Sequence, residues 1–508
     1  MAVQADRELF DVIVVGAGIS GLHAAQCLVR EGLNVCILEG RPRVGGRAWT
    51  LRDPSVGFAD LGGAYYGEQQ TQVIKLAESL GLDFYEVPQN GKAIFCLNGV
   101  RKLFEGDVPP LSLISLLDLS NCLQLLDKLS LQVPLHAPWT APEAEKWDSI
   151  TLEEFVRKSC WTEAARLLTS LALFAVTIES KHSMLDALFL IHSCGGVRAL
   201  LASQAPYGMQ SMKIKQGSNS ISEKMADDLK GNIRFETRVT KLQQMDSEVE
   251  IHTEDGITFR AREVLIAFCP LLLKHISFEP SLPMSYKAFA DINQKSRAIK
   301  TVMYYKRAHW TDHTLKGEFI AVDGLVYYGI SDAKCDGSHP AIIGFVDANK
   351  YGSMTVTQRR DAIAKFYAEI FRIPEMADPV NYKEKDWGDE DGVELSGICV
   401  YTLPPGFITT HRMLWGKAFG RIKFAGAESS AVFRGYMEGG VRAAHRAVAQ
   451  VLNSLDVEPK DKQPIEEFQE IPYYAFNIVD RLLPSVTQLI SIASIGVVLI
   501  SAVVYRML

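Results

Sequence analysis

Four residues near the start of the chain have the types and spacing to hold a dinucleotide. Gly16, Gly18 and Gly21 form GAGISG directly after an apolar run, and Glu39 follows 21 residues after Gly18. The first glycine permits a tight turn, the second lets backbone N–H groups approach a pyrophosphate, and the third lets helix and strand pack closely. An acid at the end of the next strand accepts hydrogen bonds from a ribose and disfavours a 2′-phosphate. Two more glycine pairs follow. Gly45 and Gly46 lie among Arg41, Arg43 and Arg47, and Gly62 and Gly63 lie in DLGGAYYG with Ala64 and Tyr65. Guanidinium forks are good phosphate partners, so these pairs suit a second close approach of backbone to a diphosphate and a flat ring.

Three further residues could do chemistry. Lys300 stands in AIKTVMYY, where strand alternation gives it a face shared with Val302 and Tyr304. One reading is an edge-strand lysine snorkelling to water; the other is a desolvated ammonium at a reactive centre. Cys399 lies in LSGICVYTLPPG, shortly before a Pro-Pro-Gly turn. Tyr436 lies in GYMEGG, where a buried tyrosine is ordinarily core with a satisfied hydroxyl.

The elements that must position these residues are legible as patterns. Residues 10–15 read as a buried parallel strand, 19–30 as a helix and 33–39 as a second strand, a β-α-β unit. Residues 232–266 read as β-rich with a hairpin turn at Asp255-Gly256, and 297–305 as a strand. Helices are expected at 111–131, at 354–370 with Thr357 near its start, and at 436–455, with a short strand at 422–425.

The bulk properties bound the function. The chain has 508 residues, 47% hydrophobic, with a net charge of −7 and no basic stripe, which excludes a nucleic-acid binder. Nine scattered cysteines without a CxxC argue against a disulfide framework and against a zinc site, so no metal is expected. The N-terminus lacks an apolar signal region. Residues 482–505 carry no charge, are bracketed by Arg481 and Arg506, and are long enough to span a bilayer. A span so close to the end leaves the globular part on the cytosolic side. The charged residues before it form a connector.

The stretches GAGISG, RVGGR, DLGGAYYG and KFAGAESSAVFRGYMEGGVRAA resemble the flavin-dependent amine oxidases, and among them the monoamine oxidases most closely. The likeness runs through Trp139, Trp147, Cys160, Cys194 and Lys300 to the LPSV lead into the apolar tail. It implies an α/β fold with a Rossmann-like FAD-binding domain (residues 6–85, 215–290 and 392–454) interleaved with an α+β substrate domain (86–214 and 291–391). A connector (455–481) and a C-terminal transmembrane helix (482–505) complete it. It implies oxidation of primary, or secondary, amines by O2 to aldehyde, ammonia and H2O2. Polyamines or L-amino acids are the rival substrates, and a membrane-anchored flavoprotein without activity is the rival class. The resemblance also tips localisation to a cytosol-facing mitochondrial outer membrane. Partners are the amine, O2, the bilayer and, as an open alternative, a second copy of the chain.

Carried over residue by residue, the resemblance puts Gly426, Ala427 and Glu428 near the ribityl chain and phosphates. It puts Met437 near the flavin ring and Val239 against the adenine. Lys300 becomes the lysine that holds a water against the flavin, and Tyr436 one wall of an aromatic cage before it. Gln210 lines the substrate side, and Cys194 is structural. The family tethers its flavin through the cysteine of a pattern like SGGCYTTYFPPG. Counted from Ser396-Gly397, Cys399 takes that place; counted from Pro404-Pro405-Gly406, Ile398 does. A thioether at Cys399 therefore stays open. Val400 stands where the family has the second cage tyrosine, with Tyr401 one step on. Phe433 replaces a tryptophan, and Arg434 replaces a small polar residue. A guanidinium there would repel a cationic amine unless paired, or would bind a substrate carboxylate.

Overall fold

A computed structural model describes residues 8–88, 90–106, 109–177, 181–202, 208–292, 298–322, 324–332, 334–387, 401–413, 415–460 and 471–474. The first unit is β1 (Leu9–Val15), α1 (Ile19–Arg30) and β2 (Val35–Leu38). β1 is a near-continuous apolar run because both of its faces are covered, as a central parallel strand requires. It pairs in parallel with β2, Val12 opposite Val35, and on its other side with β3 (Thr258–Ile266), Val15 opposite Ile266.

These strands sit in an eight-stranded sheet. A meander of Val239–Gln244, Val249–Thr253 and β3 extends it on one side, and Ile233–Arg234 closes the other. Ile422–Phe424, from far down the chain, adds in parallel to β3. The long helix α2 (Met437–Ser454) follows and packs on α1. At the crossing a Cβ on Gly440 would lie 3.3 Å from Ile19 Cγ2, so the glycine sets how closely the two helices approach.

The second sheet has seven strands in the order Asn381–Asp386, β4 (Ala298–Tyr304), Ala341–Asp347, Val326–Ser331, Leu315–Ala321, Lys92–Leu97 and Val100–Phe104. Ile299 and Met303 face the helix Val356–Phe371, while Val302 and Tyr304 face Val56, Ala59 and Leu61. β4 is not an edge strand; Asn381–Asp386 covers it. Lys300 itself is 5% exposed, so it does not snorkel to water. Apolar helices, among them Leu113–Ser130 and Met184–Ser193, pack beside these sheets.

Element ends depart slightly from the expected ones. The second strand is shorter: Glu31 and Gly32 form the turn after α1, and Leu33 and Asn34 lead from it into the strand without joining the ladder. The helix expected from residue 354 starts at Val356, with Thr357 in its first turn, and Thr355 caps it in a reciprocal capping box with Gln358. The expected anchor at 482–505, most of the connector, Cys399 and Val400 lie outside the described residues. Among the described residues no helix is long and apolar enough to cross a membrane.

Candidate active site

The glycine motif stands at the carboxyl end of β1. Gly16 has φ +106°, which a side chain resists, and a Cβ on Gly21 would lie 2.0 Å from the Gly16 carbonyl oxygen. Gly18 is the N-cap of α1, and a Cβ there would meet nothing within 4 Å. The first and third glycines are therefore packing requirements, whereas the second faces open space at a helix N-terminus. Glu39 is buried; its Oε2 accepts from Ala17 N–H at 2.7 Å and its Oε1 from Arg41 N–H at 3.0 Å. Each oxygen keeps acceptor capacity for a hydroxyl. Val239 starts its strand close by, because Thr237 N–H donates to the Glu39 carbonyl.

The later glycine pairs converge on the same place. Gly45 N–H bonds the Ala17 carbonyl at 2.9 Å, and a Cβ on Gly46 would lie 3.5 Å from Gly18 Cα. Arg43 donates to the Gly46 carbonyl at 2.9 Å. Arg47 pairs with the buried Glu428 carboxylate at 2.6 Å, tying the first fifty residues to the segment around Gly426 and Ala427. Met437 Sδ accepts from Tyr66 O–H at 3.3 Å, and its methyl would lie 3.6 Å from a Cβ on Gly63. Ala64 is buried, and the buried Tyr65 hydroxyl has no hydrogen-bond partner among the described residues. An open helix N-terminus, three interlocked glycine turns, an acid with spare lone pairs and an orphaned hydroxyl fit a dinucleotide cofactor.

Lys300 reaches this cradle from β4. It is 5% exposed, and its Nζ donates to the Gly62 carbonyl at 2.8 Å. Behind it lies a charged network that sequence reasoning missed. Lys213, wholly buried, bonds Asp332 and stands 3.5 Å from Asp60. Burial alone would lower the Lys213 pKa; Asp332 and Asp60 more than reverse that and hold it well above the ordinary value.

Tyr436 is the N-cap residue of α2, half-buried, with its ring 6.3 Å from that of Phe433. Gln210 is half-buried in the turn before Met212–Ile214, a strand whose Met212 exchanges two backbone bonds with Tyr66.

Tyr401 and Arg434 line a small pocket with Phe189, Phe289, Leu403, Trp415, Glu428 and others. Lys300, Tyr436 and Gln210 lie outside it. The Tyr401 hydroxyl is committed to the Phe289 carbonyl at 2.5 Å. Arg434 is not the unpaired guanidinium that sequence left open. Its Nη2 donates to Asp186 Oδ1 at 2.5 Å, and its guanidinium lies 5.2 Å from the Phe189 ring centre. Asp186 also accepts from His182 Nδ1 and from Leu403 N–H. Burial would raise its pKa, but Arg434 first, then His182 and Leu403, hold it below the usual carboxylate range.

Asp148 holds the short helix Phe407–His411 that follows Leu403, accepting from Thr409 N–H and O–H while Ser183 O–H donates to it. The signal for Asp186 was an isolated acid within the apolar helix MLDALFLIHS.

The family model for flavin containing amine oxidoreductases matches residues 19–452. The chain belongs to that family. It is 35% identical to amine oxidase [flavin-containing] B of Sus scrofa over 94% of each chain. It is also 35% identical to amine oxidase [flavin-containing] A of Canis lupus familiaris, over 96% of this chain and 94% of that one. Among solved structures, cyclohexylamine oxidase from Brevibacterium oxydans superposes with a TM-score of 0.83 at 28% identity, covering 88% of this chain and all of the other. Putrescine oxidase, at 24% identity and a TM-score of 0.80, shares the fold. This flavin amine oxidase is an enzyme that uses FAD to oxidise amines with O2.

Proposed function

We propose that this amine oxidase acts on primary monoamines with an apolar body, taken as the neutral amine. The observation that carries this reading is the Arg434–Asp186 pair in the wall of a cavity otherwise rich in aromatic and aliphatic side chains. The pair cancels a charge that would otherwise attract a substrate carboxylate, so an L-amino acid gains little there. Asp186 is engaged three times, which leaves it little capacity for the second ammonium of a polyamine, and the charge of Glu428 is offset by Arg47.

FAD, when bound, supplies the two-electron acceptor for the amine's α C–H bond and for later reaction with O2. The protein's own groups orient and tune. Gly18 and the N-terminus of α1 receive the pyrophosphate, Glu39 the ribose, and Arg47–Glu428 with Gly426 and Ala427 close over the middle of the cofactor. The ammonium of Lys300, buried and fixed on the Gly62 carbonyl, is a standing positive charge that favours negative charge developing on oxygen. Tyr401 presents its ring in the pocket, Tyr436 and Gln210 border the amine path outside it, and Cys399 stays the candidate for a covalent tether, open until tested.

The same proposal divides the chain as the sequence suggested, into an FAD-binding part (6–85, 215–290, 392–454) and a substrate part (86–214, 291–391). Residues 482–505 anchor it in a cytosol-facing membrane, the mitochondrial outer membrane. The test is kcat/KM for an arylalkyl monoamine, a diamine and the L-amino acid with the same side chain. The monoamine should lead by at least about tenfold, a difference of about 1.4 kcal/mol. Preference for the amino acid would sink the reading.

A further inference from the structure

The two helices that begin at the cofactor cradle, α1 and α2, also share a seam on which three metal-ligating side chains meet. His23 and Cys27 are four residues apart on α1 and therefore on one face. His445 comes from α2. His23 Nε2 lies 2.6 Å from His445 Nε2 and 3.9 Å from Cys27 Sγ, and the three donor atoms lie within 4.8 Å of one another. His23 is 6% exposed, whereas Cys27 and His445 are half-buried, so an ion has a way in.

The chemistry of the donors suits ligation. Two imidazole nitrogens and a thiol are a donor set that zinc favours, and the two Nε2 atoms face the same point. Two neutral rings facing through Nε2 share a single proton. Burial pushes the Cys27 thiol up to about 11, yet a cation on sulfur displaces that proton.

We propose that His23, Cys27 and His445 bind one thiophilic ion, Zn2+, with water as the fourth ligand. Binding converts the thiol to a zinc-bound thiolate and releases one proton to solvent. Tetrahedral zinc places its ligand atoms roughly 3.3–3.7 Å apart. The two ring nitrogens then open by under about 1 Å and the sulfur closes by a similar amount. The ion clips together the helices whose N-termini carry Gly18 and Tyr436. It should therefore raise the melting temperature of the holoenzyme and slow its loss of FAD. Nothing in the sequence announced the site, because the cysteine spacing looked for there is a local one.

The test uses purified holoenzyme stripped by dialysis against a chelator, then titrated with Co2+ as a spectroscopic probe and with Zn2+. One equivalent of Co2+ should give d–d bands at wavelengths beyond the flavin absorption, and Zn2+ should abolish them. Cys27→Ser and His445→Gln should each weaken binding by roughly a hundredfold. Cys335→Ser, which removes an exposed thiol, should leave it unchanged. Absence of stoichiometric binding, or equal binding in Cys27→Ser, overturns the proposal and leaves a helix-packing pair. If His445→Gln fails to fold, the Cys27→Ser comparison decides alone.

Discussion

Lys300 and Gly62, 238 residues apart in the chain, are joined by a 2.8 Å hydrogen bond from Nζ to the carbonyl oxygen. That bond fixes a buried ammonium against the third glycine turn of the cradle. Lys300→Met removes both the charge and the partner of that carbonyl. An unsatisfied buried carbonyl costs about 1–3 kcal/mol. Loss of a preorganised charge should slow the reaction of reduced enzyme with O2 by about a hundredfold. Anaerobic reduction followed by stopped-flow mixing with O2 separates the two effects. An unchanged reoxidation rate would remove Lys300 from the oxygen step.

The Asp186–Arg434 pair should be coupled. Asp186→Asn alone leaves a buried guanidinium uncompensated and should cost about 3–5 kcal/mol. The double variant with Arg434→Gln should recover part of that loss. The pH dependence follows from the depressed carboxyl of Asp186. Its contribution is fully present above the unfolded value of about 4 and is lost as pH falls through the folded value. Denaturant midpoints between pH 6 and pH 3 should therefore fall more steeply for the parent enzyme than for Asp186→Asn.

Gly21→Ala should abolish cofactor retention, because the added Cβ would sit 2.0 Å from the Gly16 carbonyl. The protein should purify without yellow colour. Gly18→Ala meets no protein atom, so any loss of flavin there reports a clash with the cofactor itself. Absorbance at the flavin band relative to protein measures both.

Acid precipitation tests the tether. Flavin that stays with the pellet, and is released in Cys399→Ala, supports a thioether at that residue; flavin in the supernatant excludes covalent attachment.

Because the neutral amine is the reactive form, kcat/KM should climb with pH until the substrate's ammonium is depleted. Substrates of different amine pKa should shift that limb in step. A flat profile from acid to alkaline pH would contradict oxidation of the neutral amine.

What the sequence determined by itself was local. The run before Gly16, the glycine spacing and the periodicities of 2 and 3.6 specify strands, turns and helices, because backbone dihedrals and the burial of one face depend on near neighbours. Glu39 and the face of Lys300 were legible for the same reason. The tertiary structure decided what each charged or polar side chain means. Arg434 read as a lone guanidinium until Asp186, 248 residues away, was found to neutralise it. For Lys300 the strand pattern alone also allowed an edge-strand lysine, and the fold buries it against the Gly62 carbonyl on a strand covered by Asn381–Asp386. His23 and His445 are 422 residues apart and carry no shared motif. A buried charge or lone pair takes its energy from the partner that replaces water, and only the folded chain brings that partner within reach.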